Sequence, residues 1–270
     1  MADQPKITLA RLAEMKHAGT PITMLTAYDA SMAAVFDEAG IDCMLVGDSL
    51  GNVIQGRDST VPVTVDHMVY HIECVRRGTR RAMLIGDMPF LSYSSEAVAI
   101  KTAQALMQAG AEMVKLEGGR SVLDVVGRLA ELGVPVCGHL GLTPQSVHQL
   151  SGYRVQARAP EARKRLIDEA GALEKAGCAM LVLECIPRRL AAEVAASLAI
   201  PVIGIGAGAR VDGQVLVSYD ALGIGSGRRP RFVRDFMAGS DSMEAAVHAF
   251  IDAVRDRRFP ADKESYAEPA

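Results

Sequence analysis

No long basic stripe runs through this chain. Its 29 Lys and Arg against 32 Asp and Glu leave a formal net charge of -3, which argues against nucleic acid as a main partner. No uninterrupted apolar run approaches the roughly 20 residues that span a bilayer, so no membrane partner is expected. The opening Met1-Ala-Asp-Gln-Pro5 lacks the basic start and apolar core of a signal peptide. The five cysteines, Cys43, Cys74, Cys137, Cys178 and Cys185, form no C-x-x-C pair and are odd in number. That argues against a disulfide framework, and three of them sit in apolar runs where cysteine behaves as a small hydrophobe. A reducing cytoplasm is the expected compartment. No linker or break in composition marks a second domain, so residues 1-270 read as one domain.

What the chain has is apolar content, 49% over 270 residues, enough for a large core. It is arranged in short runs that end abruptly in chemistry. Cys43-Met-Leu-Val-Gly-Asp-Ser49 ends in a carboxylate and a hydroxyl. Met83-Leu-Ile-Gly-Asp87, Met113-Val-Lys-Leu-Glu117 and Met180-Leu-Val-Leu-Glu184 end in carboxylates, and Val136-Cys-Gly-His139 ends in imidazole. Runs this short and this apolar read as buried strands of a parallel sheet. Side by side, they would bring their last residues to one face.

Between the strands lie helical patterns with plain start and stop signals. Thr8 caps a helix at about 8–17 with Ile7, Leu9, Leu12 and Met15 on its apolar side; Asp29 or Ser31 starts a helix that stops at Gly40; Ser95 caps another. Pro187 opens a helix at a position proline tolerates. Pro201 to Gly206 is the seventh strand and Val215 to Val217 a weaker eighth. A final helix at 242–257 precedes a tail, after about 258, expected to be poorly ordered. Two connections, 51–64 and 140–160, are long enough to be lids. Strand and helix alternate about eight times, which in roughly 250 residues favours a closed (β/α)8 TIM barrel over an open sheet.

Active sites of such barrels lie at the C-terminal ends of the strands. Asp48, Asp87, Glu117, His139 and Glu184 all fall there. Any one of them has a bland alternative, capping the next helix, which is all that is expected of Asp29. Together, unpaired carboxylates repel, and a cation is the simplest way to hold them. Hard oxygen donors without a Cys/His cluster favour Mg²⁺ or Mn²⁺ over zinc. Lys115 shares a strand side with Glu117. It is read either as a ligand for a substrate carboxylate or enolate oxygen, or as a structural ion pair with Asp87 or Glu117. Ser49 suits an oxygen ligand near the metal. Gly204-Ile-Gly-Ala-Gly208 lacks the G-x-G-x-x-G spacing of a dinucleotide site; it is read equally as a phosphate cradle or as close backbone approach. Tyr153, Tyr219 and Phe232 have the rings to stack on a flat cofactor, with packing the plainer reading of each. The arginine clusters 76, 77, 80, 81 and 228, 229, 231 read as solvated surface or as an anion or subunit contact.

Longer blocks carry a resemblance. Leu45-Val-Gly-Asp-Ser-Leu-Gly51, Asp58-Ser-Thr60, Val114-Lys-Leu-Glu-Gly-Gly119, Val136-Cys-Gly-His-Leu-Gly-Leu-Thr-Pro-Gln145 and Ile200-Pro-Val-Ile-Gly-Ile-Gly-Ala-Gly208 occur in one order. From about Ile22 to Phe236 the chain resembles the ketopantoate hydroxymethyltransferases. Ser151 and Tyr219 stand where that pattern has glycine and histidine. The resemblance implies transfer of a hydroxymethyl group from 5,10-methylenetetrahydrofolate to the α-keto acid 3-methyl-2-oxobutanoate, giving 2-dehydropantoate on the route to pantothenate and coenzyme A. It also implies Mg²⁺ near Asp48, Asp87 and Glu117, with keto acid bound by Ser49 and Lys115 beside Asp48 and Asp87. Glu184 would be the base that generates a metal-stabilised enolate, and His139 its hydrogen-bonding partner. A homo-oligomer, a decamer of two pentamers, is implied as well. The rival readings are a Mg²⁺-dependent lyase or mutase of the phosphoenolpyruvate mutase and isocitrate lyase type, and a non-catalytic barrel scaffold. The absence of cysteine from both long connections weakens the first, and the full set of acidic and lysine positions weakens the second.

Overall fold

In a computed structural model, which describes residues 5–225 and 229–268, eight parallel strands close into a barrel in chain order. The strands are β1 (Ile22–Thr26), β2 (Cys43–Val46), β3 (Met83–Asp87), β4 (Met113–Glu117), β5 (Val136–Gly141), β6 (Met180–Glu184), β7 (Val202–Ile205) and β8 (Gly213–Leu216). Around them lie α1 (Leu9–His17), α2 (Ala30–Ala39), a one-turn α3 (Leu50–Val53), α4 (Val65–Gly78), α5 (Glu96–Ala109), α6 (Leu123–Glu131), α7 (Pro160–Ala176), α8 (Arg188–Ser197), a one-turn α9 (Ser218–Ala221) and α10 (Met243–Arg255). The strands are buried on both faces because helices cover the outside and side chains fill the inside, which is why they read as continuous apolar runs.

Local chemistry sets the helix starts as expected. Thr8 accepts from the Arg11 backbone N–H, Asp29 from Ser31 and Met32, Ser95 from Val98, and Ser242 from Ala245. Each such cap contributes about 1 kcal/mol. Thr64 and His67 form a reciprocal capping box at α4, a partnership hidden in the sequence because histidine replaces the usual Glu or Gln. In α1, Leu12 and Met15 are buried as expected, while Leu9 faces outward. The eighth strand begins two residues earlier than the apolar letters suggested. At Gly213 a Cβ would lie 2.4 Å from the Ile22 carbonyl, so only glycine lets β8 meet β1 and shut the barrel.

The N-terminal ends of the strands carry their own acids, each matched, with Asp42 and Asp37 buried and Asp212 and Glu112 half-buried. Asp42 accepts from Thr23 N and Oγ1, both at 2.8 Å, and from the Arg255 guanidinium at 2.7 and 2.9 Å, with Arg81 at 3.3 Å. Asp37 accepts the backbone N–H groups of Arg80, Arg81 and Ala82. Asp212 holds Lys16 and the Val202 N–H, and Glu112 holds Lys6 and the Leu84 N–H. The Arg76 to Arg81 cluster is thus partly structural, since Arg81 serves Asp42 and Arg76 lies 3.7 Å from Glu112. Arg228 lies outside the described residues.

The tail departs from expectation. Rather than hanging loose after residue 258, it folds back over the barrel, with Glu264 and Ser265 buried. Arg234 grips Glu264 through two hydrogen bonds of 2.6 and 2.9 Å, and Arg188 N donates to the Tyr266 carbonyl at 2.9 Å. The polar letters of this stretch describe a segment held by partners about 30 and 80 residues away, not a solvated one.

Candidate active site

Period-two alternation aims every second residue of each strand inward. Leu45, Asp87, Lys115, Glu117, His139, Val182, Glu184, Ile205 and Val215 consequently line one cavity of about 770 Å³ at the C-terminal mouth, joined by Asp48 and Ser49 from the turn after β2. All the residues singled out for chemistry meet there. Register decides who meets whom. Asp87 is paired with Lys115 across β3 and β4, and Glu117 with His139 across β4 and β5.

Lys115 forms a buried ion pair with Asp87, whose other oxygen accepts the Asp48 N–H at 3.1 Å. Burial works against the Lys115 charge, but Asp87, Glu117 and Asp48 outweigh it and hold the ammonium protonated. Asp48 is pushed up to about 7, first by burial and then by Asp87 and Glu117. His139 lies between two acids, with Nδ1 3.3 Å from Glu117 Oε1 and Nε2 3.3 Å from Glu184 Oε2. Neither approach is aligned as a hydrogen bond, so both ring nitrogens and Glu117 Oε1 are buried without a hydrogen-bond partner. Burial and Lys115 push the imidazole down, yet the flanking carboxylates prevail and it is raised to about 9. Ser49 Oγ lies 2.9 Å from the Tyr28 hydroxyl.

Among the described residues, no three His, Cys, Asp or Glu side chains already stand as a ligand cage. The donor set nevertheless fits a hard divalent cation. Three carboxylates converge with one ammonium among them, Asp48 carries the mark of repulsion, and a buried Glu117 oxygen lacks a donor.

One residue of the site carried no chemical role in the sequence reading. Gln145 is almost fully buried and ties the acids together. Its Nε2 donates to Asp48 Oδ2 at 2.9 Å and to the Met88 carbonyl at 3.0 Å. Its backbone N–H donates to Glu117 Oε2 at 3.0 Å, and Tyr93 donates to its Oε1 at 2.6 Å. The start of the 140–160 connection is therefore pinned to the floor of the cavity. Of the aromatic candidates, Phe232 and Tyr153 line the cavity; Tyr219 does not, and packs edge-on to Tyr28 at 5.9 Å. The glycines after β7 serve close approach: a Cβ on Gly206 would lie 2.9 Å from the Phe232 ring, and one on Gly208 2.5 Å from Arg188 Cβ.

A closed parallel barrel with acid, base and ammonium gathered at its C-terminal mouth defines a TIM-barrel enzyme. Solved structures share the fold. These include 2,3-dimethylmalate lyase, a member of the PEP mutase/isocitrate lyase superfamily, with TM-score 0.58 and 18% identity over 80% of this chain and 82% of that one. Phosphoenolpyruvate phosphomutase from Streptomyces platensis subsp. rosaceus has TM-score 0.60 and 12% identity over 78% and 81%. At such identities the likeness is one of fold alone. The sequence narrows it further. The family model for ketopantoate hydroxymethyltransferase matches residues 6–262. A 3-methyl-2-oxobutanoate hydroxymethyltransferase of Shewanella loihica is 54% identical over 97% of this chain and 99% of its own. One of Hahella chejuensis is 50% identical over 96% and 98%. The chain belongs to the ketopantoate hydroxymethyltransferase family.

Proposed function

We propose that this enzyme transfers the one-carbon unit of 5,10-methylenetetrahydrofolate, with one water, to C3 of 3-methyl-2-oxobutanoate as a hydroxymethyl group, yielding 2-dehydropantoate and tetrahydrofolate. The observation that carries the reading is the meeting of Asp48, Asp87, Glu117, Lys115, His139 and Glu184 in a single cavity. Asp48, Asp87 and Glu117 would hold Mg²⁺. When bound, the cation supplies Lewis-acid polarisation of the ketone. Lys115 and Ser49 bind the keto acid, the ammonium countering its negative oxygen and the hydroxyl donating to it. Glu184 takes the C3 proton. His139, cationic beside Glu184, orients that carboxylate and offsets the charge of Glu117. Gln145 keeps Asp48 and Glu117 from turning away from the floor.

Exposed apolar side chains at Phe90, Leu91 and Val98 support assembly into a homo-oligomer. Five free cysteines support a cytoplasmic location, and among the described residues no helix is long and apolar enough to cross a membrane.

The test is solvent deuterium exchange at C3 of the keto acid, followed by NMR. Glu184→Gln is expected to retain keto-acid binding while exchange falls about a thousandfold. Exchange at the normal rate would remove Glu184 from the base role.

A further inference from the structure

The cavity is larger and less uniform than a five-carbon acid requires. Its 770 Å³ lies well up the range of small-molecule sites, and the charged floor occupies only the side over β2 to β5. Strand order sets β7 and β8 across the barrel from β3 and β4. On that far side the lining changes to apolar and aromatic side chains, Ile205, Val215, Phe232 and Tyr266, with the arginines Arg229 and Arg231 beside them. Glu184 on β6 stands between the two halves.

The far wall is built with some care. Gly206 has φ +60°, and a Cβ there would lie 2.9 Å from the Phe232 ring and 3.2 Å from that of Tyr266. Both rings therefore approach bare backbone at the end of β7, and both line the cavity. Tyr266 arrives from the far end of the described chain, and the segment bearing it is tied down three ways. Arg188 N donates to its carbonyl, Arg231 Nε donates to the Lys263 carbonyl at 2.8 Å, and Arg234 clasps Glu264. The Arg231 guanidinium also lies 5.8 Å from the Tyr266 ring centre. Farther along the same wall Asp220, half-buried, adds a carboxylate to the cavity lining.

We propose that Ile205, Phe232 and Tyr266, with Asp220 at the wall's end, seat the flat bicyclic heterocycle of the one-carbon donor, so that the C-terminal segment is part of the donor site. The chemistry matches on two counts. A fused aromatic heterocycle presents two faces suited to rings and aliphatic side chains, and the amino and ring N–H groups along a pterin edge are neighbouring donors that one carboxylate can accept together. With the keto acid on the floor, a ring on this wall would reach the nascent nucleophile from the side opposite the acids. This inference rests on the assignment of the floor to the keto acid, and its test is separable from that assignment.

Titration of the intact protein with tetrahydrofolate, followed by calorimetry, reads the wall without turnover. Folate-free exchange of the keto acid's C3 proton reads the floor. Tyr266→Ala and Asp220→Asn are each expected to weaken tetrahydrofolate by about tenfold or more, with exchange within about twofold of wild type. Tyr266→Phe, which keeps the ring and confirms that the segment still docks, is expected to bind near the wild-type level. Unchanged tetrahydrofolate affinity in Tyr266→Ala would overturn the proposal, and so would loss of exchange in step with loss of binding. Failure of the wild-type protein itself to exchange would overturn the floor assignment instead, and calorimetry would still decide the wall.

Discussion

The two ends of the barrel solve the same electrostatic problem in opposite ways. At the N-terminal end, Asp42, Asp37, Asp212 and Glu112 each find a guanidinium, an ammonium or a row of backbone N–H groups. At the C-terminal end, Asp48, Asp87, Glu117 and Glu184 share one ammonium and one imidazole. Buried carboxylates cost several kcal/mol apiece unless they are compensated. The first end is compensated by the chain itself and serves the fold. The second is left short of positive charge, which is the condition for binding a cation and a substrate.

This contrast can be broken most forcefully at the top. Asp48→Asn removes one acid from the crowded face, and kcat/KM is expected to fall at least about a thousandfold. The same change should raise the melting temperature of the metal-free protein by a few degrees, since it relieves repulsion. A melt in EDTA checks this; a lower melting temperature would mean that the acids are not held against one another.

At the bottom the signs reverse. Asp42→Asn weakens the tie to Arg255 and Arg81 and is expected to cost about 3 kcal/mol in urea unfolding. The folded fraction should keep kcat within about twofold. A tenfold loss of kcat with little loss of stability would show that the two ends are not separable.

The smallest effect sharpens the comparison through pH. Asp48 sits at about 7 in the folded protein against 3.8 ordinarily, and His139 at about 9 against 6.5. Both hold a proton in the native state that the unfolded chain has already released. Their contributions are therefore complete below the ordinary values, near 3.8 and 6.5, and are lost as pH rises through about 7 and 9. Metal-free protein should lose about 1–3 kcal/mol between pH 6 and 8.5. Saturating Mg²⁺ should flatten that slope, and Asp48→Asn should reduce it. A slope unchanged in both would place the titrating groups elsewhere.

Much of this was legible in the letters. Acid-ended apolar runs locate the strand tips, and period-two alternation already sets Lys115 beside Glu117. The readings of Lys115 as ligand and as ion-pair partner prove compatible, because the Asp87 partnership also fixes where the ammonium points. What could not be read were contacts made across long stretches of chain. Gln145 reaches Asp48 97 residues away, and no local pattern distinguishes a clamping glutamine from a surface one. The tail misled for a related reason. Its composition is that of a free end, and the order comes from Arg234 and Arg188, which no window around residue 264 contains. Leu9 fits a helical apolar stripe by spacing alone, yet it faces outward while Leu12 and Met15 are buried.

The seam between β1 and β8, with the Arg255 to Asp42 contact beneath it, also bears on how the molecule is made. A ribosome delivers β1 first and α10 nearly last, so the earliest strand waits through most of synthesis with one side unmatched. Until β8 emerges, the growing sheet has two open margins, and until α10 follows, Asp42 lacks Arg255. Nascent chains stalled before α10 should accordingly be the ones that chaperones retain.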